Sequence, residues 1–114
     1  MNIYKFYFNH LIEAVEKFKS DFKYFFIVED ILKKLTLEPP KNSINGDMST
    51  NLAMILSKDL KLSPKIIAEN FMVYISNFPG VDNINVAGPG FINITFKQNV
   101  WLDFLSNMLQ NSGN

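Results

Sequence analysis

Apolar residues recur at helical spacing at several places along the chain. In residues 4–19 they form one stripe, made of Tyr4, Phe8, Leu11, Val15 and Phe18, which is typical of an amphipathic helix. Ser63-Pro64 predicts the start of another helix, because serine accepts from the first free amides and proline occupies a position that needs no donor. Two more helices are predicted: one capped by Ser49 or Thr50 with an apolar face of Leu52, Ala53, Leu56 and Leu60, and one over residues 100–109.

Residues 20–48 give a mixed pattern. Residues 24–28 are aromatic and β-branched, which favours a strand, whereas the apolar pair at 31–32 fits a short helix. We favour a helix over 29–34. Leu35 and Leu37 alternate with polar residues before Pro39-Pro40, which predicts an edge strand. Turn-forming residues concentrated in 41–48 predict a loop.

The last third of the chain carries the two-residue period of half-buried strands. Ile84 and Val86 alternate with Asn83 and Asn85; after a turn at residues 87–90, Ile92, Ile94 and Phe96 alternate with Phe91, Asn93, Thr95 and Lys97. Successive side chains of a strand project to opposite faces. The apolar set is therefore predicted to face the core, and the set that contains Phe91 and Asn93 to face outward with the two asparagines of the first strand.

These elements predict an α+β domain of two layers, with helices packed on one face of a small antiparallel sheet of three or four strands. A length of 114 residues fits one domain, and 47% hydrophobic and 14% aromatic residues can fill its core. Gly88 and Gly90 are expected to supply backbone angles that a side chain would strain, as is Gly46 before a helix entry at 47–49.

Composition leaves little room for catalysis or metal binding. The chain has no cysteine and a single histidine, and its glycines do not match a phosphate loop. Eleven basic residues balance eleven acidic ones, and every basic residue is a lysine, so no strong field draws the chain onto nucleic acid. No apolar run approaches a membrane span. We expect no catalytic residue, no metal site and no membrane partner, and the lack of cysteine favours the cytoplasm.

The outward set of the hairpin carries the only suggestive chemistry. It combines amides, a hydroxyl, the Lys97 ammonium and the Phe91 ring. Such groups can stack on an unpaired base, hydrogen-bond its edge and hold a phosphate. The alternative is an ordinary solvated sheet face, with Phe91 tucked under a helix end.

Two longer segments resemble the amino-terminal domain of arginyl-tRNA synthetases of bacterial type. They are GDMSTNLAM at residues 46–54, continued by SPKIIAE at 63–69, and VAGPGFIN at 86–93. The segment EPPK at 38–41 also resembles the residues before the Gly-Asp pair in bacterial members. The resemblance covers about residues 35–110, and residues 20–34 match poorly.

The resemblance implies a tRNA-recognition domain over residues 1–112 of a longer synthetase, with residues 113–114 starting a linker to its catalytic domain. It implies contact with the D-loop of the arginine tRNA, made by Phe91 and Asn93. Together with the turn residues Gly88, Pro89 and Gly90, and with Lys97 from the outward face of the strand, these residues are the predicted tRNA-binding site. Some members carry asparagine where this chain has Gly88, which puts one base contact in doubt. ATP and Mg would serve the parent catalytic domain, no cofactor is expected in this segment, and the parent is expected to be a monomer.

Three functions therefore stay open from sequence. The first is an RNA-contacting domain of a synthetase, the second a protein-interaction module of the same shape, and the third a free-standing enzyme. The third is least favoured, because the sequence offers no nucleophile paired with a base.

Overall fold

The structure, a computed structural model, describes residues 2–111. In chain order the elements are α1 (Ile3–Phe22), α2 (Val28–Lys34), β1 (Leu37–Glu38), a 3-10 turn (Ser43–Asn45), β2 (Met48–Thr50), α3 (Leu52–Leu60), α4 (Pro64–Ile75), β3 (Val81–Ala87), β4 (Phe91–Phe96) and α5 (Gln98–Asn111). The linker expected at residues 113–114 lies outside the described residues. No helix within residues 2–111 is both long and apolar enough to cross a membrane.

The strands form one antiparallel sheet in the order β1-β2-β4-β3. Ile92, Ile94 and Phe96 of β4 are buried on the inner face, against which α1, α3 and α4 pack. The face assignment made from the alternation is thus confirmed for the apolar set. The α+β architecture with helices on a small antiparallel sheet is also confirmed.

Helix α1 begins after Asn2, whose side-chain oxygen accepts from the Tyr4 amide at 2.8 Å. It ends at Lys23, which adopts the left-handed conformation. The helix is longer at its C-terminus than predicted, and its buried stripe is turned slightly. Tyr7 is fully buried and its hydroxyl donates to the Pro79 carbonyl at 2.6 Å, whereas Tyr4 and Phe8 are only partly buried.

The strand alternative for residues 24–28 is wrong. The chain leaves α1 and passes through an irregular segment, and α2 follows over Val28–Lys34, so the helix favoured for residues 29–34 is confirmed. Tyr24 turns back onto α1, where its ring stacks on Phe22 at 5.4 Å and lies 5.3 Å from Phe18. Aromatic packing rather than strand pairing therefore accounts for Tyr24, whereas Phe25 of the same segment is exposed.

The predicted cap at Ser49 and the helix entry at residues 47–49 are also wrong, whereas the Thr50 hydroxyl oxygen does accept from the Leu52 amide at the start of α3, at 3.3 Å. Residues Met48–Thr50 form β2, which pairs with β4 on one side and β1 on the other. Helix α3 begins only after Asn51. The Asn51 side chain accepts from the Thr36 amide at 2.8 Å and donates to the Lys34 carbonyl at 3.0 Å, so it ties the start of α3 to the segment that leads into β1.

Other sequence predictions are confirmed. Leu37–Glu38 is an edge strand, and the apolar face of α3 is buried at Leu52, Ala53 and Leu56. Ser63 caps α4, since its hydroxyl oxygen accepts from the Ile66 amide at 3.2 Å. Helix α5 begins slightly before the predicted position, and its Trp101 ring stacks on Phe96 at 5.5 Å.

The turn between β3 and β4 contains two glycines, and Gly90 is more constrained than Gly88. Gly88 has φ +59°, and a Cβ there would meet only the Phe91 ring, at 3.8 Å. Gly90 has φ +132°, and a Cβ there would lie 2.5 Å from Pro64 Cβ and 3.3 Å from Met54. Positive φ is confirmed at both, but only Gly90 is also enclosed by α3 and α4.

We predict that Gly90→Ala destabilises the fold by about 3 kcal/mol or more, because backbone strain and overlap with the helices add. Gly88→Ala, the matched control, should cost about 1 kcal/mol, since it meets left-handed strain alone. Urea unfolding of both variants measures the difference. Equal losses would show that contact with Pro64 does not limit the residue at position 90.

Candidate functional site

One row of polar residues crosses all four strands on the outer face of the sheet. Glu38 of β1 pairs with Ser49 of β2, Ser49 pairs with Asn93 of β4, and Asn93 pairs with Asn85 of β3. Residues directly opposite each other in neighbouring strands project to the same face. The four side chains therefore form a continuous line on the face opposite to the helices.

A cavity of about 250 Å³ lies over this row. Ser49 and Asn93 line its base, Glu38, Pro39, Pro40, Lys41 and Asn45 line one side, and Ala87, Gly88, Pro89 and Phe91 line the other. The two sides come from distant parts of the sequence, which the pairing of β2 with β4 brings together. The cavity is mostly apolar in outline, with a few amide, hydroxyl and charged groups at defined positions.

Asn93 is the most enclosed polar group of the site. Only 2% of its surface is exposed, and its Nδ2 donates to Asn85 Oδ1 at 3.2 Å. Asn93 thus lies on the outer face as predicted, but the alternative of an ordinary solvated sheet face does not hold for it. The strand partners on both sides and the 3-10 turn, which contacts β4, reduce its exposure, so Asn93 contributes to the sheet as well as to the cavity.

Phe91 begins β4 and is half-buried, on the same face as Asn93. Its ring lies beneath the turn, because a Cβ placed on Gly88 would be 3.8 Å from Phe91 Cδ2. The ring therefore forms a side of the cavity on the face away from the helices. This is the aromatic surface that the alternation places on the outer face.

The structure brings together four of the six predicted site residues, Gly88, Pro89, Phe91 and Asn93. Gly90 lies instead in a neighbouring groove formed with Ser63, Pro64 and Lys65. Lys97 follows the far end of β4, and its amide donates to the Gly80 carbonyl at 2.8 Å. At about 3.3 Å per residue it is roughly 20 Å along the chain from Phe91, so it is not part of this cavity.

Several lining residues were not predicted as site residues from sequence. Ser49 was placed at a helix entry, and only its pairing with Asn93 brings it into the cavity. Glu38 and Lys41 flank the two prolines after β1 and form the opposite side. The alternation of β1 places Glu38 on the outer face and Leu37 on the inner face. That position indicates a site residue only when β1 is known to pair with β2.

The single histidine lies apart from this site. His10 Nδ1 is 3.0 Å from the Phe6 carbonyl oxygen, and the imidazole packs at 4.6 Å from the Phe6 ring. Within residues 2–111, no group of three or more histidine, aspartate or glutamate side chains is arranged to hold a metal ion.

Comparison with known proteins gives consistent matches. The model of the arginyl tRNA synthetase N-terminal domain matches residues 7–96. An arginine–tRNA ligase of Bartonella henselae is 46% identical over 83 residues, which are 72% of this chain and 14% of that protein. Those of Azorhizobium caulinodans and Xanthobacter autotrophicus are 36% and 37% identical over 96% and 89% of this chain. The chain spans 18% and 17% of their respective lengths.

We predict that Asn93→Ala lowers the free energy of unfolding by about 1–2 kcal/mol, because it removes the enclosed hydrogen bond to Asn85. Asn83→Ala is the matched control, since Asn83 is exposed on the same face of β3 and should change stability by no more than about 0.5 kcal/mol. Denaturant titration compares the two. If the variants are equally stable, the amide pair does not support the sheet.

Proposed function

Because this chain belongs to the arginyl tRNA synthetase N-terminal domain family, we propose that it is the tRNA-contacting domain of an arginine–tRNA ligase. The domain occupies residues 1–112 and contacts the D-loop at the elbow of the arginine tRNA. The observation that carries this proposal is the cavity of the outer sheet face, where an aromatic ring, prolines and an amide surround one concave space.

The chemistry of the cavity suits a single unstacked base better than a helical segment. Proteins that read RNA sequence stack splayed-out bases on aromatic rings and hydrogen-bond their edges. Phe91 supplies the ring, Asn93 supplies an amide, and Lys41 at the rim supplies one positive charge for a phosphate. Pro39 and Pro40 complete an apolar side that excludes water from the stack.

Catalysis is placed elsewhere in the parent ligase under this proposal. The chain spans only 14–18% of the ligases named above, and the ATP- and Mg-dependent attachment of arginine belongs to the remainder. The parent acts as a cytoplasmic monomer in which this domain increases the affinity for tRNA and takes no part in the chemistry.

We predict that Phe91→Ala in the full-length ligase raises the KM for tRNA by about five- to a hundred-fold, because a base–aromatic stack contributes roughly 1–3 kcal/mol. The KM values for arginine and ATP should stay unchanged, since the site is remote from the reaction. Aminoacylation kinetics measure all three constants.

The control for this variant is Phe25→Ala, which deletes an aromatic ring that is 91% exposed and outside the cavity. It should leave the KM for tRNA unchanged. An unaltered KM in Phe91→Ala would contradict the proposal. An increase in both variants would show that the loss of tRNA affinity is not specific to the cavity.

We also predict a shallow salt dependence for RNA binding by the 114-residue chain. Lys41 lines the cavity and Lys65 the neighbouring groove, so only about two phosphates are neutralised. The plot of log K against log salt should have a slope no steeper than about −2. A slope of about −5 or steeper would point to an extended basic surface elsewhere on the domain.

A further inference from the structure

We propose that Asn51 is a positioning residue for RNA binding, which fixes the side of the cavity formed by residues 38–41. This inference rests on the proposed function, because it concerns how the cavity keeps the shape that its ligand requires. Asn51 does not line the cavity itself. It acts from the opposite end of β1, through two backbone groups that its side chain binds.

Asn51 occupies the capping position of α3, but its side chain does not cap that helix. Asparagine at this position ordinarily accepts a hydrogen bond from an amide of the first helical turn, and the Asn51 side chain makes no such bond. The Leu52 amide at the start of α3 donates instead to the Thr50 hydroxyl oxygen, at 3.3 Å. The Asn51 amide group is thus used outside its own helix.

The side chain binds the segment between α2 and β1 with both of its polar atoms. Its oxygen accepts from the Thr36 amide at 2.8 Å, and its nitrogen donates to the Lys34 carbonyl at 3.0 Å. Lys34 is the last residue of α2, where carbonyl groups have no partner within the helix. One side chain therefore fixes both the end of α2 and the direction in which the chain enters β1.

The direction of entry matters because β1 is short and cannot be extended. Its two residues pair with two residues of β2, and it forms an edge of the sheet. Pro39 and Pro40 follow, and proline has no amide hydrogen to add to a strand ladder. The pairing with β2 therefore ends at Glu38, and the path of residues 39–41 depends on how the chain enters the strand.

The other end of the same segment is held separately. The Asp47 amide donates to the Ile94 carbonyl at 2.9 Å, so Asn51 and Asp47 anchor the two ends of residues 36–47. The middle of that segment forms one side of the cavity, and Phe91 belongs to the other side. Loss of the Asn51 bonds should therefore loosen one side and leave the ring of Phe91 in place on β4.

The experiment uses the full-length ligase and two variants, Asn51→Ser and Asn51→Asp. Serine and aspartate cap helices about as well as asparagine does, so α3 keeps its start. Serine lacks the amide group, and an ionised aspartate has no hydrogen to donate to the Lys34 carbonyl. The matched control is Asn77→Ser, which removes an amide-to-carbonyl bond of the same 3.0 Å length, to Val73 of α4.

The first measurement is hydrogen exchange in peptides that cover residues 36–41 and α3. Both Asn51 variants should accelerate exchange at residues 36–41 by about ten-fold or more, because the entry to β1 opens more often, and should leave α3 within about two-fold of the wild type. Asn77→Ser should change neither region. Unchanged exchange at residues 36–41, or equal acceleration in α3, would overturn the inference.

The second measurement is aminoacylation. Both Asn51 variants should raise the KM for tRNA by about three- to ten-fold with kcat unchanged, because a smaller fraction of the ligase has the cavity in its binding shape. Asn77→Ser should keep the wild-type KM. In the Phe91→Ala background the Asn51 variants should add less than about two-fold, since the side that they loosen no longer faces a ring.

The outcomes separate this inference from the proposed function. If Phe91→Ala leaves the KM for tRNA unchanged, the proposed function fails and the inference fails with it. If Phe91→Ala raises the KM but both Asn51 variants keep the wild-type value, the proposed function stands and the positioning role is overturned. An equal increase in Asn77→Ser would also overturn that role, because the loss would then follow from any weakened hydrogen bond.

Discussion

The pairing of β4 on both of its edges is the constraint on which the rest of the domain depends. β2 holds one edge and β3 the other, so the register of β4 is determined twice. With that register, Ile92 and Ile94 fill the core while Asn93 between them enters the cavity. Because side chains alternate, a slip of one residue would exchange the two faces and lose the core and the site together.

The segment before β2 secures this register from the end of the strand. The Asp47 amide donates to the Ile94 carbonyl at 2.9 Å, and the Asp47 carboxylate accepts from the Phe96 amide at 2.9 Å. Gly46 permits the approach, since a Cβ there would lie 2.9 Å from the Ile94 oxygen. The Gly-Asp pair, which carries much of the family resemblance, thus has a structural role beside β4, whereas the VAGPGFIN segment supplies the turn and the cavity.

Sequence reasoning succeeded where the signal was local. The Ser63-Pro64 start and the alternation of β3 and β4 each depend on residues within one element and are confirmed, as is the stripe of α1 at Leu11, Val15 and Phe18. β2 was not predicted because its three residues, two of them polar and all buried, are too few to show an alternation of apolar and polar positions. Their pairing with β4 is a contact across more than forty residues.

The same limit explains what was missed at the site. Alternation assigned Phe91 and Asn93 to one face, but no local pattern shows that β1 and the two prolines stand opposite them. Lys97 was included because it lies an even number of positions from Phe91, which predicts the same face of the sheet. It lies too far along the chain from Phe91 to line the cavity. The alternation along a strand predicts the face on which a side chain lies. Its position along the strand and the neighbouring strands determine which residues of that face lie close together.

The dependence of the cavity on β4 also bears on how such a site binds. Its base consists of sheet residues already held by strand pairing and by the Asn85–Asn93 bond, so little conformational freedom remains to be lost on binding. That rigidity makes Asn93 a poor probe of recognition alone, because its removal disturbs the sheet as well. Phe91 is half-buried at the start of the strand and lies outside the hydrophobic core. Its substitution therefore tests recognition with less loss of stability than substitution of Asn93. A domain of this size can thus keep a defined cavity because one strand buries one of its faces in the core and lines the cavity with the other.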